Sequence, residues 1–369
     1  MKVYGSNKLK NDVIDRGLCI GCGACIGICP YFETHKGKTA NLFPCTLEKG
    51  RCFAYCPMVE VDLEALTQHR FGRSYDASPL GVYSTVFTAK AGPKANTGDF
   101  QNGGTVSALM DFALQRGVID AAILTDQDGI LPFPRLVTDA KDVYACAGSK
   151  YVSAPTLSEL NRAIESGHQK LGLVVTPCQA TAVAQLKSNP MNESDFTDPV
   201  ALVVGLFCTW SLNYRAFEPY LSGIVPIDTI RKIDIPPPPA EVLEIYTNDE
   251  KIEVPLAEVR EKVADSCGYC PDMTAEFSDV SVGVFEGQSE LNTLIVRTEA
   301  GADLVAQAEK DGYLILGDMP RENLDHLTGA AASKKKNALS RNREEGLLDA
   351  TGKDARPTFR FNDEVTESL

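Results

Sequence analysis

The sequence predicts a mixed α/β (α+β) fold behind a small cysteine-rich N-terminal module, and three observations predict it. Seven of the twelve cysteines fall within the first 56 of 369 residues. From Ser84 onward, strand-like apolar runs alternate with amphipathic helical ones, the order of βαβ units. Two later runs end in Cys178 and Cys208, and open α/β sheets present ligands at the carboxyl ends of their strands. Texture sets the expected boundaries: a module over 1–75, an α/β domain over 76–330, and a basic helix with a polar tail over 331–369.

In the module, Cys19-Ile-Gly-Cys22-Gly-Ala-Cys25-Ile-Gly-Ile-Cys29-Pro30 is the C-x2-C-x2-C-x3-C-P run that holds an iron–sulfur cluster. Gly21 and Gly23 let backbone N–H groups turn toward inorganic sulfide, and Cys29, ahead of a proline, usually serves the other cluster of a pair. Cys45, Cys52 and Cys56-Pro57 follow and keep only the closing C-x3-C-P. The crossed pattern gives Cys19, Cys22, Cys25 and Cys56 to one 4Fe-4S cluster and leaves Cys29, Cys45 and Cys52 for a second, one thiolate short. A non-cysteine ligand or a distant cysteine would complete it; in the alternative, Cys29 closes a single local cluster and the rest are structural. A zinc knuckle or disulfide staple suits the 2-2-3 spacing poorly, because structural zinc brings separated pairs. The module is expected to end in a helix over Val61–His69.

Composition narrows the rest. A hydrophobic fraction of 44% can build a substantial core, and a net charge of −14 disfavours nucleic acid and anionic membranes as partners. The N-terminal MKVYGSNKLKNDV has no apolar stretch of the export-signal kind, so the thiols are expected in reducing cytoplasm. No apolar run reaches the roughly 18–20 residues that cross a bilayer.

Within the domain, STVFTAKA from Ser84 alternates as a strand, Gly103-Gly104 opens a helix that stops at Gly117, and IDAAILTDQDG reads as a buried strand. The helix TLSELNRAIESG leads into LGLVV, QATAVAQLKSN leads into VALVVGLF, and NYRAFEPYLSG is a further helix. Residues 235–240 form a stiff proline-rich spacer. Cys267-Gly-Tyr-Cys270-Pro271 supplies two more thiolates, and with Cys178 and Cys208 makes a closed four-thiolate site, which zinc would also fit. Residues 278–316 are expected to give two strands flanking a helix. The run SKKKNALSRNREEG reads as a basic helix with a solvated face, a docking helix on an acidic neighbour being the sharper alternative.

Gly103-Gly104-Thr105-Val106-Ser107-Ala108-Leu109, Ala147-Gly148-Ser149-Lys150-Tyr151, Thr176-Pro177-Cys178-Gln179, Gly205-Leu206-Phe207-Cys208 and Cys267-Gly268-Tyr269-Cys270-Pro271-Asp272 occur in one order and spacing. Together they resemble the beta subunits of coenzyme F420-reducing hydrogenases and F420-dependent formate dehydrogenases, over roughly residues 80–345. The resemblance implies a flavin-binding catalytic domain in which FAD lies beside a 4Fe-4S cluster held by Cys178, Cys208, Cys267 and Cys270. It implies cofactor contacts from Gly103, Gly104, Thr105, Ser107, Ser149, Lys150, Tyr151, Thr176, Pro177 and Gln179. Physical chemistry agrees in part: glycines before a helix allow close backbone approach, and the helix N-terminus favours a pyrophosphate. Lys150 is the candidate catalytic residue, as a charge that tunes a flavin.

The implied activity is hydride transfer between F420 and FAD, with single electrons leaving through two or three clusters. The implied partner is the catalytic alpha subunit of a formate dehydrogenase or hydrogenase, or subunits of heterodisulfide reductase type; the seven N-terminal cysteines favour the formate dehydrogenase type. Two alternatives remain: the same scaffold working with ferredoxin or NAD(P)H, and a flavin-free electron relay. None of His35, His69, His168 and His326 lies in a matched stretch, so no histidine base is expected, and Cys146 has no assigned role.

Overall fold

The computed structural model describes residues 2–96, 98, 100–236, 239–348, 358–362 and 365. Pro237 and Pro238 of the proline run and most of the polar tail, which the sequence reading covered, lie outside the described residues.

The module contains α1 (Ser6–Leu9), a hairpin of β1 (Phe32–His35) and β2 (Lys38–Asn41), α2 (Arg51–Ala54), β3 (Val61–Asp62) and α3 (Leu63–Phe71). The expected helix over Val61–His69 starts two residues later because Asp62 accepts from the Ala65 N–H as its N-cap, and it stops at left-handed Gly72. The module is not a separate bead. Its apolar residues Ile26, Phe53 and Val59 share one core with Leu157, Leu160 and Val183 of the α/β domain. Gly23, at φ +83°, lies so close to the next domain that a Cβ there would stand 2.6 Å from the Pro155 carbonyl oxygen.

The domain is built on an eight-stranded sheet with the order β14 (Leu314–Asp318), β4 (Thr85–Ala91), β13 (Asn292–Val296), β12 (Val280–Val284), β8 (Val200–Leu206), β7 (Leu171–Val175), β5 (Ala121–Asp128), β6 (Leu131–Val137). Its first strands and helices are β4 (Thr85–Ala91), α4 (Thr105–Gln115), β5 (Ala121–Asp128), β6 (Leu131–Val137), α5 (Thr156–Glu165), β7 (Leu171–Val175), α6 (Pro177–Lys187) and β8 (Val200–Leu206). These match the strands and helices read from sequence, save β6, which Pro132 and Pro134 disguised. Both prolines lack a donor on the same side of the strand, which an edge position tolerates. Strands β5, β7 and β8 pair in parallel, as the βαβ rhythm predicts. Strand β4 does not join β5: four strands lie between them, because the late hairpin β12 (Val280–Val284) and β13 (Asn292–Val296) is inserted there.

A small unit follows β8, of which the sequence showed only the first helix. It comprises α7 (Tyr214–Ser222), the antiparallel sheet of β9 (Lys232–Asp234), β10 (Val242–Tyr246) and β11 (Lys251–Pro255), and α8 (Leu256–Arg260), around Phe217, Leu243 and Ile245. Between β13 and β14 (Leu314–Asp318) runs α9 (Glu299–Lys310), so residues 278–316 hold three strands rather than two. The loop at Gly287, with φ +95°, turns β12 back onto β13.

The C-terminal helix α10 spans Arg321–Glu344, beginning before the basic run and crossing the boundary drawn at 330. Its expected solvated basic face is corrected by the structure. Lys335 is 5% exposed and its ammonium is 2.7 Å from Glu276 Oε1, with further bonds to the Tyr75 hydroxyl and the Ser78 carbonyl. Only Lys336 of the three consecutive lysines is exposed. The acidic neighbour of the docking alternative is thus the chain's own core. A short final strand, β15 (Phe359–Arg360), pairs with β3 of the module. Among the described residues no helix is long and apolar enough to cross a membrane.

Candidate metal centres and cofactor cradle

Cys178 sits at the start of α6 because Thr176 caps that helix. The Thr176 N–H donates to Gln179 Oε1 at 3.0 Å, Pro177 occupies the first turn where no donor is needed, and the Gln179 amide donates to the Ala154 carbonyl. Thr176, Pro177 and Gln179, expected to contact a cofactor, form the capped first turn of α6 on which Cys178 stands. Cys208 follows β8, its N–H donating to the Met273 carbonyl at 2.9 Å, and this joins the strand end to the turn carrying Cys267 and Cys270. Ser211 N–H donates to Cys267 Sγ at 3.2 Å. Burial first, then the thiols of Cys270, Cys208 and Cys267, pushes Cys178 well above its ordinary value. The four cysteines named from sequence are thus brought to one place, from β-strand ends and a turn more than fifty residues further on.

The module forms a second such place. Cys19, Cys22, Cys25 and Cys56 line one cavity of about 350 Å³ together with Pro57 and Met58. Burial, then Cys56, raises both Cys22 and Cys25, so the crossed partner from the second motif is the thiol that bears on them most. A third group is looser. Burial raises Cys52 to about 11, with Cys29 the next cause and Cys45 a lesser one. Leu47 N–H points at Cys45 Sγ, 3.5 Å away.

The first two sites adjoin. A cavity of about 400 Å³ beside Cys178 and Cys270 is walled by the same Pro57 and Met58. Cys22 also feels the Cys178 thiol. Helix α6 ties the two together further, since Gln185 donates to the Cys56 carbonyl at 2.9 Å. Among the described residues no three Cys, His, Asp or Glu donors converge closely enough for a single metal ion. The module thiols instead ring a volume, as a cubane requires, and buried neutral thiols give up their protons on metal binding.

The glycine turn and the 147–151 stretch also meet. Gln101, two residues before Gly103, donates to the Tyr151 hydroxyl at 2.7 Å, and the Tyr151 carbonyl accepts from Ser211 Oγ, the residue that also reaches Cys267. Thr105 opens α4 fully buried, and its hydroxyl has no hydrogen-bond partner among the described residues. An orphaned hydroxyl at a helix N-terminus fits an anionic ligand group. Ser107 is half-buried on the same turn and Ser149 is exposed. Lys150 is committed elsewhere: its three ammonium donors reach the carbonyls of Cys146, Ala147 and Gly148 at 2.7–3.0 Å, and burial pulls its pKa down. Cys146 lies apart from every thiol group, near Asp126 and Arg135.

Gly104 holds this cradle in shape. At φ +76° a Cβ would stand 2.6 Å from the Phe100 ring. We expect Gly104→Ala to cost roughly 1–2 kcal/mol for the left-handed backbone, before any displacement of Phe100. Chemical denaturation of the purified protein checks this, and an unchanged midpoint would remove the strain argument.

Sequence reasoning missed Arg297. Its guanidinium is 4% exposed and spends its donors on the Leu80 and Val82 carbonyls, Thr274 and the Ser281 hydroxyl, tying the segment after the module to the turn beyond Cys270. A lone arginine after a buried strand gives no pattern by which it could have been found.

Comparison with known proteins agrees with this arrangement. Residues 168–322 match the C-terminal part, and residues 86–161 the N-terminal part, of the coenzyme F420 hydrogenase/dehydrogenase beta subunit, while residues 12–31 match a 4Fe-4S binding domain. The chain is 30% identical to a coenzyme F420-dependent sulfite reductase of Methanocaldococcus jannaschii, over 90% of this chain but 52% of that protein, so it spans about half of that relative. It is 30% identical to a coenzyme F420 hydrogenase subunit beta of Methanococcus voltae over 64% of this chain and 85% of that one. A chain of the F420-reducing [NiFe] hydrogenase complex from Methanosarcina barkeri superposes with a TM-score of 0.67 at 26% identity, over 74% of this chain and 95% of that one. With two adjoining cysteine sites at the places that the family's motifs mark, the chain belongs to the coenzyme F420 hydrogenase/dehydrogenase beta subunit family and carries a ferredoxin-type 4Fe-4S motif.

Proposed function

We propose that the chain is the beta subunit of an F420-linked hydrogenase or formate dehydrogenase, exchanging hydride with coenzyme F420 at a bound FAD and single electrons with a catalytic partner subunit. The observation that carries this reading is the wall of Pro57 and Met58 shared by the two cysteine-lined cavities, across which electrons would pass from the α/β domain into the module. That the relatives from three genera are named for F420 supports the choice of substrate.

Bound FAD would supply the conversion between hydride and single electrons. The chain's part is to hold and insulate. The N-terminus of α4, with Gly103, Gly104 and Thr105, would seat the pyrophosphate, and Ser107, Ser149 and Tyr151 would border the cofactor. Lys150 would act through the carbonyls it gathers, fixing the loop rather than touching a ring. Cys178, Cys208, Cys267 and Cys270 would ligate one 4Fe-4S cluster, and Cys19, Cys22, Cys25 and Cys56 the next. Cys29, Cys45 and Cys52 would serve an outermost cluster.

Anaerobic mixing of the flavin-loaded protein with reduced F420, and separately with NADH, tests the reading. Rapid bleaching of flavin and cluster absorbance by reduced F420 alone is the expected result. Bleaching by NADH alone, or by neither, would overturn the assignment of F420.

A further inference from the structure

The three consecutive lysines of α10 have three different fates. Lys336 faces solvent, Lys335 pairs with Glu276, and Lys334 turns to the four-thiol site, donating to the Cys208 carbonyl at 2.5 Å. Helix α10 is fastened over that site at several points. Asn342 donates to the Tyr269 carbonyl at 3.0 Å, and the Arg341 guanidinium lies 4.2 Å from the centre of the Tyr269 ring, between Cys267 and Cys270 in sequence. The ammonium of Lys334 is therefore a fixed charge. It bears on Cys208, Cys267 and Cys270, and the buried carboxylate of Asp272 is its opposite on the same side. Asp272 is itself occupied by the N–H groups of Thr274 and Glu276, so it is held in place rather than free to follow the lysine.

We propose that Lys334 sets the reduction potential of the cluster at Cys178, Cys208, Cys267 and Cys270, holding it higher than the thiolates and Asp272 alone would allow. The physical reason is the charge change. A cluster that accepts one electron becomes more negative, and in a buried site a fixed cation favours the reduced form, so net charge nearby is a direct lever on potential. The proposal rests on the four-thiolate ligand assignment made above. It adds that the terminal helix, remote in sequence from every motif, makes that cluster a better electron acceptor. Lys334 acts on the cluster as a positioned charge, without ligating it.

Redox titration of the complete, anaerobically reconstituted protein, followed by electron paramagnetic resonance, tests this in four variants. Cys270→Ser identifies the signal that belongs to this cluster; if every signal survives in it, the ligand assignment fails, and the proposal with it. Given that signal, Lys334→Gln is expected to keep the iron content and move only this potential to a lower value. Lys334→Arg should stay near the unaltered protein, and Lys336→Gln, a solvent-facing loss of the same charge two residues away, should change little. An unshifted potential in Lys334→Gln would overturn the proposal while leaving the ligand assignment standing. So would an equal shift in Lys334→Arg or Lys336→Gln, or loss of the cluster's iron in Lys334→Gln, which would make the lysine a structural prop.

Discussion

Replacing Cys178 or Cys270 by serine is expected to remove roughly four iron atoms per chain and to stop electron passage between the α/β domain and the module. The effect should be this large because the four thiols come from three separate parts of the fold and none has a substitute nearby. Cys178 stands on the capped start of α6, Cys208 beyond β8, and Cys267 and Cys270 on one turn. The remaining cysteine of the domain, Cys146, lies near Asp126 and Arg135 instead. Iron analysis and electron paramagnetic resonance of anaerobically prepared variants are the measurements. Signals from the module should persist, since Cys19, Cys22, Cys25 and Cys56 line their own cavity. Full iron content in either variant would show that these thiols are packing residues.

The second large effect concerns stability. Lys335→Met is expected to destabilise the protein by about 3–5 kcal/mol, because it strands Glu276 in a site where the carboxyl is 4% exposed. Burial pulls the lysine down, but the Glu276 carboxylate and Tyr75 more than offset this, so Lys335 stays charged across the neutral range. Burial pushes Glu276 up to about 7 against the attraction of Lys335. An acid whose folded value exceeds its unfolded value, here 4.5, binds its proton more tightly in the folded state. Its contribution to stability is present below about pH 4.5 and lost as pH rises through 7. Without the ammonium that loss deepens, so the deficit of Lys335→Met should be greater at pH 8 than at pH 5. The double variant Glu276→Gln with Lys335→Met should recover most of it, since removing both partners leaves no buried charge. Unfolding rates under proteolysis at the two pH values provide the readout, and a deficit independent of pH would exclude the stranded carboxylate as its cause.

These two predictions divide along the line between what was legible in the sequence and what was not. The cysteine motifs were legible because metal ligation imposes fixed short spacings, and C-x2-C-x2-C-x3-C-P leaves few other chemistries. The strands β5, β7 and β8 and the helices between them were legible because burial on one or both faces imposes a period on the residues. Strand β6 was hidden by Pro132 and Pro134, which mark non-strand in general and are tolerated here only at the sheet edge. The small sheet β9–β11 carries charges such as Glu244 and Lys251 on a surface pair, and so shows no clean alternation.

By itself the sequence determined that this protein holds iron–sulfur chemistry, which residues are candidates to bind it, and the family to which the chain belongs. Only the tertiary structure decided that the cavity at Cys178 adjoins the one lined by Cys22 across Pro57 and Met58, that four strands separate β4 from β5, and that Lys334 and Lys335 are interior charges. Spacing and periodicity are local quantities, set by residues within a turn or two of one another. Which strand neighbours which, and whether a lysine meets water or a buried carboxylate, depends on surfaces brought together from opposite ends of the chain. In this chain the helix that reads as its most solvated segment closes over the four-thiol site.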